Sequence, residues 1–136
     1  MKLNQLIPGQ AADVEVTGLT ADSRKVKPGF LFAALKGVAK DGRDFIPAAV
    51  KAGASVILTD DRPGEFGVAT VRVAEPRLTL AQASAAFYPK QPATIAAVTG
   101  TNGKSSTVDF LRQIWAHMGR KAASMGTLGA IGPSGR

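Results

Sequence analysis

Apolar runs and polar turns alternate along the first two thirds of the chain. The segments that predict strands are Ala12–Leu19, Phe30–Leu35, Ser55–Leu58 and Val68–Val73. A helix is predicted to begin at Phe45, with Asp44 as its cap, Pro47 in its first turn and Gly53 at its end. A second helix is predicted at Leu78–Tyr88, between two prolines. Strands that alternate with helices predict an α/β domain.

A break in this pattern follows at Pro89-Lys90-Gln91-Pro92. Two prolines so close together disfavour a helix and favour an extended connection. We therefore predict one domain over residues 1–91 and the beginning of another over 92–136.

The second segment has its own order of elements. Thr94–Val98 is an apolar run of strand type, the glycine-bearing loop Gly100–Ser106 follows, and Ala122–Met125 is a second possible strand. Between them lies a helical pattern whose apolar positions are three or four residues apart: Val108, Leu111, Trp115 and Met118. A strand–loop–helix–strand unit does not complete a parallel sheet alone. We expect an incomplete domain that exposes the apolar face of Val108, Leu111 and Trp115.

The loop Thr99-Gly-Thr-Asn-Gly-Lys-Ser-Ser106 carries the strongest chemical signal. A helix N-terminus offers unpaired N–H groups to phosphate oxygens, and glycines let the backbone approach closely. Lys104 is suited to the β- and γ-phosphates, and the Ser105 hydroxyl to Mg²⁺. The loop is a shortened form, because Val98 stands where the full pattern has glycine. The alternative is a helix start capped by Thr101 or Asn102, with Lys104 as a surface residue.

A second candidate site combines three polar segments: Asp22-Ser23-Arg24, Lys27-Pro28-Gly29 and Lys36–Phe45. They offer a hydroxyl, a guanidinium and backbone donors, which suit a sugar–pyrophosphate or a nucleobase edge. Composition alone favours the alternative, in which these segments are turns with solvated charges.

Composition narrows the class of protein. The net charge of +7 comes from scattered basic residues without interleaved aromatics, so nucleic-acid binding is not expected. The chain has no cysteine, no apolar run long enough to span a membrane and no signal-peptide pattern. We expect a cytoplasmic protein with a site for an anionic small molecule.

Four ordered motifs resemble the start of the Mur ligases. They are DSRKVKPGFLFAALKG, DGRDFIPAAVKAGA, AVTGTNGKSST and MGTLG. The resemblance implies that a first domain holds the uridine nucleotide of the substrate, a second is a P-loop ATPase domain and a third closes over the active site. It places Ser23 at the uridine end and the loop Val38-Ala39-Lys40 against the UDP moiety, although some relatives have histidine where Val38 stands.

The resemblance also implies the residues that bind ATP and Mg²⁺. The ATP-binding positions are Gly100, Thr101, Asn102, Gly103, Lys104, Ser105 and Ser106. Lys104 is the catalytic residue and Ser105 the metal ligand. The loop reads Lys-Ser-Ser where many relatives have Lys-Thr-Thr, and both hydroxyl types can bind Mg²⁺.

The implied reaction is ATP-dependent addition of a third amino acid to a UDP-N-acetylmuramoyl dipeptide, through an acyl phosphate. The added residue is diaminopimelate or lysine. Alternatives are a dipeptide-adding Mur ligase, which shares the N-terminal pattern, and a non-catalytic nucleotide-binding module. Folylpolyglutamate synthetase shares the GTNGK-type loop and a similar ligase chemistry, but not the N-terminal DSR…KPG…LKG pattern. Asp109 is the only acidic residue after position 91, and the family's carbamylated lysine, amino-acid pocket and third domain would lie beyond Arg136. We therefore expect these 136 residues to be inactive as a ligase by themselves.

Overall fold

The computed structural model describes residues 1–37, 40–60 and 64–135. It divides into two compact units, Met1–Gln91 and Pro92–Arg136. Among the described residues, no helix is long and apolar enough to cross a membrane. The roles predicted for residues 1–91 and 92–136 remain predictions.

A parallel sheet of four strands, in the order β1-β2-β3-β4, forms the centre of the first unit. The strands are β1 (Gly18–Thr20), β2 (Phe30–Ala33), β3 (Val56–Thr59) and β4 (Ala69–Arg72). The helices are α1 (Leu3–Leu6), α2 (Ile46–Lys51) and α3 (Pro76–Phe87). The register aligns Leu31 of β2 with Val56 of β3. Three of the predicted strands and the helix predicted at Leu78–Tyr88 are confirmed with small shifts of their ends.

Both faces of this sheet are covered, so its central strands are apolar except for the buried Thr59 at the end of β3. Leu31 and Ala33 face one core cluster, which includes residues of α1 and α3. Phe32 faces a second cluster, with Ile46 and Ala49 of α2. Successive side chains of a strand point to opposite faces, so one short apolar run supplies both clusters.

The turn at Lys27-Pro28-Gly29 joins two distant segments to the start of β2. The Gly29 N–H donates to the Gly53 carbonyl at 2.9 Å, and the Thr17 N–H donates to the Gly29 carbonyl at 2.9 Å. The Thr17 hydroxyl donates to the Pro28 carbonyl at 3.0 Å. Gly29 has φ +84°, and a Cβ there would lie 2.6 Å from Thr17 Oγ1. This turn is therefore part of the framework of the first unit.

Two predictions for the first unit were wrong in detail. Most of Ala12–Leu19 is irregular, because its backbone bonds run to the N-terminal segment: the Leu3 N–H donates to the Val14 carbonyl at 2.9 Å. Only Gly18–Thr20 joins the sheet. Asp44 does not cap α2. Asp41 instead accepts the Arg43 N–H and opens a 3₁₀ turn at Gly42–Phe45, after which α2 begins at Ile46.

The second unit contains α4 (Lys104–His117) and an antiparallel hairpin of β5 (Ser124–Gly126) and β6 (Gly129–Ile131). Gly119, with φ +77°, follows the helix end as predicted. The strand predicted at Thr94–Val98 does not form, and Ile95 is 72% exposed. A strand needs a neighbour to pair its backbone groups. In the described part of this unit, β5 pairs with β6 in antiparallel fashion and neither strand pairs with Thr94–Val98. That segment therefore has no strand beside it.

The most exposed apolar residues of α4 differ from those predicted. Val108, Leu111 and Trp115 are half-buried. Phe110, Ile114 and Met118 are each more than half exposed. These three residues are four positions apart and lie along one side of the helix.

Candidate functional site

The loop Gly100–Ser106 opens α4 through glycines in unusual backbone conformations. Gly100 has φ +144° and Gly103 has φ +77°. Gly103 is the N-cap, and the cap makes no side-chain hydrogen bond. The alternative in which Thr101 or Asn102 caps the helix is therefore wrong. A helix of this length with an uncapped first turn presents N–H groups and a favourable dipole to an anion.

Lys104 folds back over this loop. Its ammonium donates to the Gly100 carbonyl and to the Thr101 carbonyl, the latter at 3.2 Å. The side chain is exposed, so these bonds are open to exchange with another acceptor. An anion at the loop would meet both the ammonium and the backbone N–H groups of the first helical turn.

Ser105 is joined to a residue far along the chain. Its hydroxyl oxygen lies 3.0 Å from the hydroxyl oxygen of Thr127, in the turn between β5 and β6. Sequence reasoning noted the motif Met125–Gly129 but assigned Thr127 no role. Lys104, Ser105 and Thr127 all line one cavity of about 270 Å³ between α4 and the hairpin.

Asp109 also lines this cavity, but its carboxylate is bound within its own helix. Arg112 donates to it at 2.8 Å and Gln113 at 2.7 Å. The hydrogen bond from Arg112 holds the pKa of the Asp109 carboxyl below its usual value. Asp109 is therefore an anion whose oxygens already serve two neighbours.

The donors near the loop fit a magnesium–phosphate complex better than a protein-only metal site. The part of the chain that the structure describes contains no group of three or more metal-ligating side chains. Mg²⁺ usually keeps several waters and takes one or two protein oxygens plus phosphate oxygens. The exposed hydroxyl of Ser105, next to Lys104, matches that pattern of ligands.

The second candidate site lies in the first unit, at the carboxyl edge of the parallel sheet. Ser23 opens a 3₁₀ turn after β1 and is half-buried. Asp22 accepts the Arg24 N–H at 3.1 Å and two bonds from the Arg24 guanidinium at 2.9 and 2.8 Å. The guanidinium bonds, with the backbone bond second, lower the pKa of Asp22 to about 2. A charged Asp22 therefore holds the turn that presents Ser23.

The loop after β2 reaches the same edge. The Gly37 N–H donates to the Lys40 carbonyl at 3.0 Å, and the Lys40 side chain is exposed. Val38 and Ala39 lie outside the described residues. Carboxyl ends of neighbouring parallel strands share one edge, where open α/β sheets usually bind ligands. The structure thus brings Ser23 and Lys40 to one edge, and Gly100–Ser106 belongs to the other unit.

Arg43 ties this loop to the end of β3. Its guanidinium donates to Asp41 at 2.8 and 2.9 Å and to Asp60 at 2.8 Å. The bonds to Asp41, and then those to Asp60, raise the pKa of the Arg43 guanidinium. Sequence reasoning missed this arrangement. The only signal for it was an acidic residue directly after a buried strand, at Asp60.

Comparison with known proteins identifies the family. Residues 15–88, more than half of the chain, match the family model described as "Mur ligase family, catalytic domain". The chain belongs to the Mur ligase family. The match lies within the first unit, and the loop Gly100–Ser106 lies outside it.

Individual Mur ligases match over almost the whole chain. A Brucella melitensis protein named UDP-N-acetylmuramoyl-L-alanyl-D-glutamate--2,6-diaminopimelate ligase is 51% identical over 133 residues, which are 96% of this chain and 27% of that protein. A solved structure of a ligase with the same name has a TM-score of 0.73 at 27% identity and covers 96% of this chain and 28% of that one. This chain spans about a quarter of the length of the curated relatives that it matches.

One similar solved structure carries a nucleotide. The MurF ligase from Thermotoga maritima in complex with ADP has a TM-score of 0.60 at 29% identity, covering 73% of this chain and 23% of that one. The resemblance of the sequence to Mur ligases and its predicted α/β class are thus confirmed.

Proposed function

We propose that this chain is the N-terminal part of an ATP-dependent ligase that adds 2,6-diaminopimelate to UDP-N-acetylmuramoyl-L-alanyl-D-glutamate in peptidoglycan precursor synthesis. The observation that carries the proposal is the uncapped, glycine-opened start of α4, in a chain of the Mur ligase family. The choice of diaminopimelate is supported by the names of the relatives that are 44–54% identical to this chain. We place the reaction in the cytoplasm.

The loop Gly100–Ser106 is proposed to bind the triphosphate of ATP. Thr101, Asn102, Gly103 and Ser106 contribute backbone around the phosphates, and Gly100 lets the loop turn inward. Lys104 exchanges its bonds to the Gly100 and Thr101 carbonyls for bonds to phosphate oxygens. A phosphate accepts stronger, charge-assisted hydrogen bonds than a neutral carbonyl does, and this difference favours the exchange.

The proposed chemistry is acyl phosphate formation followed by aminolysis. The terminal carboxylate of the dipeptide attacks the γ-phosphorus of ATP, and the bond to the β-phosphate oxygen breaks to release ADP. The amine of diaminopimelate then attacks the acyl carbon, expels inorganic phosphate and loses a proton, which forms the amide.

Lys104 and Ser105 act on the phosphoryl step. The Lys104 ammonium stabilises the negative charge on the transferring group, a type of interaction whose loss commonly costs about a hundredfold or more in rate. Ser105 would hold Mg²⁺ through its hydroxyl oxygen. The bound Mg²⁺ would neutralise negative charge on the phosphates.

The carboxyl edge of the first unit is proposed to hold the UDP portion of the other substrate. Ser23 would contact the uridine end, and Val38, Ala39 and Lys40 the diphosphate. Support comes from the shared sheet edge of Ser23 and Lys40 and from the Arg43 ion pairs, which hold the base of the loop. With Val38 in place of a polar residue, this loop acts through its backbone and through Lys40.

The ATP site is tested by ADP titration of the 136-residue chain in the presence of Mg²⁺. Lys104→Ala should weaken ADP binding about tenfold or more, because a charge-assisted contact to phosphate is lost. Lys121→Ala is the matched control: it removes an exposed lysine of the same unit and should leave the affinity within about twofold of the unchanged chain. Equal affinities for both variants would return Lys104 to the role of a surface lysine.

The UDP site is tested separately by amide NMR. UDP should shift the signals of Ser23 and residues 37–43, and ATP should shift residues 100–106. A folded chain whose first set of signals does not move in millimolar UDP would refute the assignment of the sheet edge.

A further inference from the structure

The hydroxyl pair of Ser105 and Thr127 joins two segments that are far apart in sequence. Their oxygens lie 3.0 Å apart, and either atom could donate the hydrogen. Thr127 is the first residue of the tight turn between β5 and β6, whose last ladder pair is Gly126 with Gly129. A two-residue hairpin turn has few backbone conformations, so the position of Thr127 relative to α4 follows from the hairpin.

The chemistry of a metal-binding hydroxyl makes this pair informative. A serine that gives its oxygen lone pair to a cation must point its hydrogen elsewhere, and an acceptor at that place fixes the orientation of the ligand. Thr127 Oγ1 stands at hydrogen-bond distance from Ser105. Asp109, the carboxylate that lines the same cavity, accepts from Arg112 and Gln113 instead.

We propose that Thr127 is a positioning residue that accepts the Ser105 hydroxyl hydrogen and thereby aims the Ser105 oxygen at the divalent cation of a bound nucleotide. The inference rests on the proposed role of Gly100–Ser106 in binding nucleotide. It adds a residue from the hairpin to that site and gives the motif Met125–Gly129 a chemical role.

The exposure of Ser105 and Thr127 distinguishes a positioning role for Thr127 from a role in stabilising the fold. Ser105 and Thr127 are both exposed, so in the free protein their bond competes with water and contributes little to stability. The hydrogen bond becomes stronger when a cation is coordinated by the Ser105 oxygen, because coordination makes the Ser105 O–H a stronger donor. Loss of the Thr127 hydroxyl should therefore reduce the contribution of the metal to nucleotide binding and leave metal-free binding unchanged.

The test compares ADP affinity with Mg²⁺ and with EDTA, measured by calorimetry on the 136-residue chain. Thr127→Val keeps the shape and removes the hydroxyl, Thr127→Ser keeps the hydroxyl, and Ser105→Ala removes the ligand itself. We expect Thr127→Val to reduce the Mg²⁺-dependent gain in affinity about fivefold, the value of roughly one hydrogen bond. Thr127→Ser should behave as the unchanged chain, and Ser105→Ala combined with Thr127→Val should be no weaker than Ser105→Ala alone.

The outcomes distinguish this inference from the function on which it rests. If Thr127→Val and Thr127→Ser show the same Mg²⁺-dependent gain, Thr127 does not position Ser105. Equal losses for Thr127→Val with Mg²⁺ and with EDTA would make Thr127 a structural residue, which also overturns the inference. If the unchanged chain binds no ADP in either condition, the proposed function of the loop fails and takes this inference with it.

Discussion

Replacing Gly29 by alanine tests whether the Lys27-Pro28-Gly29 turn is part of the framework of the first unit. The φ of +84° is unfavourable for any L-residue, at a cost of roughly 1–2 kcal/mol. The added Cβ would also lie 2.6 Å from Thr17 Oγ1 and 3.0 Å from Thr17 Cγ2. Relieving that overlap requires Thr17 to shift and to lose its hydrogen bond to the Pro28 carbonyl. This lowers the free energy of unfolding by about 1–3 kcal/mol more.

Gly9 is the matched control, because it has φ +85° and nothing within 4 Å of a new Cβ. Alanine also reduces the conformational entropy of the unfolded chain, which raises the free energy of unfolding of both variants by about 0.4–1 kcal/mol. We therefore expect the free energy of unfolding to fall by about 0.5–1 kcal/mol in Gly9→Ala and by about 2–4 kcal/mol in Gly29→Ala. Because one kcal/mol corresponds to roughly 4–8 °C in a unit of this size, the difference is measurable by thermal or urea unfolding followed by far-UV circular dichroism.

Two further measurements test whether the loss of stability comes from the contact with Thr17 and is confined to the first unit. Thr17→Ala combined with Gly29→Ala should recover most of the extra loss, because it removes the atoms that the new Cβ meets. Fluorescence of Trp115, the single tryptophan, reports on the second unit and should not change. Gly29→Ala and Gly9→Ala of equal stability would refute the packing argument, and so would a double variant as unstable as Gly29→Ala.

Three other predictions follow from the same structure. The pKa of Asp22 lies near 2, below its ordinary 3.8, so its bonds to Arg24 stabilise the fold above about pH 4 and this contribution is lost as the pH falls toward 2. A carboxyl NMR titration should show that Arg24→Ala raises the pKa of Asp22 much more than Lys25→Ala does, and equal rises would contradict the bonding described. Limited proteolysis should cut first near Pro89–Pro92, since this stretch has no helix or strand and is exposed; first cuts inside the β1–β4 sheet would oppose the two-unit division. The 136-residue chain, given ATP, Mg²⁺, the UDP-linked dipeptide and diaminopimelate, should release no phosphate above background, and clear turnover would show that these residues suffice for catalysis.

Some features of the molecule follow from local sequence alone. The apolar runs at Phe30–Ala33 and Val56–Thr59 are strands because branched and aromatic side chains suit a backbone that is buried on both faces. Helix α4 begins after a glycine and ends before another, and its apolar residues recur with the period of a helix. These signals lie within a few residues of one another, so the neighbours in sequence are also the neighbours that decide the conformation.

Other features depend on which segments meet. Thr94–Val98 has the composition of a strand, but a strand exists only when a neighbour takes its hydrogen bonds. Asp41 and Asp44 are both reasonable caps by sequence. In the structure Asp41 accepts the Arg43 N–H, and the guanidinium of the same Arg43 donates to Asp60, which follows β3. Ser105 and Thr127 are 22 positions apart, and no local pattern predicts their contact. Local propensity thus determined most of the helices and strands and the glycine-bearing loop before α4. Packing between distant segments decided which strands pair and which polar side chains lie together, because hydrogen bonds and ion pairs act only over a few ångströms in space.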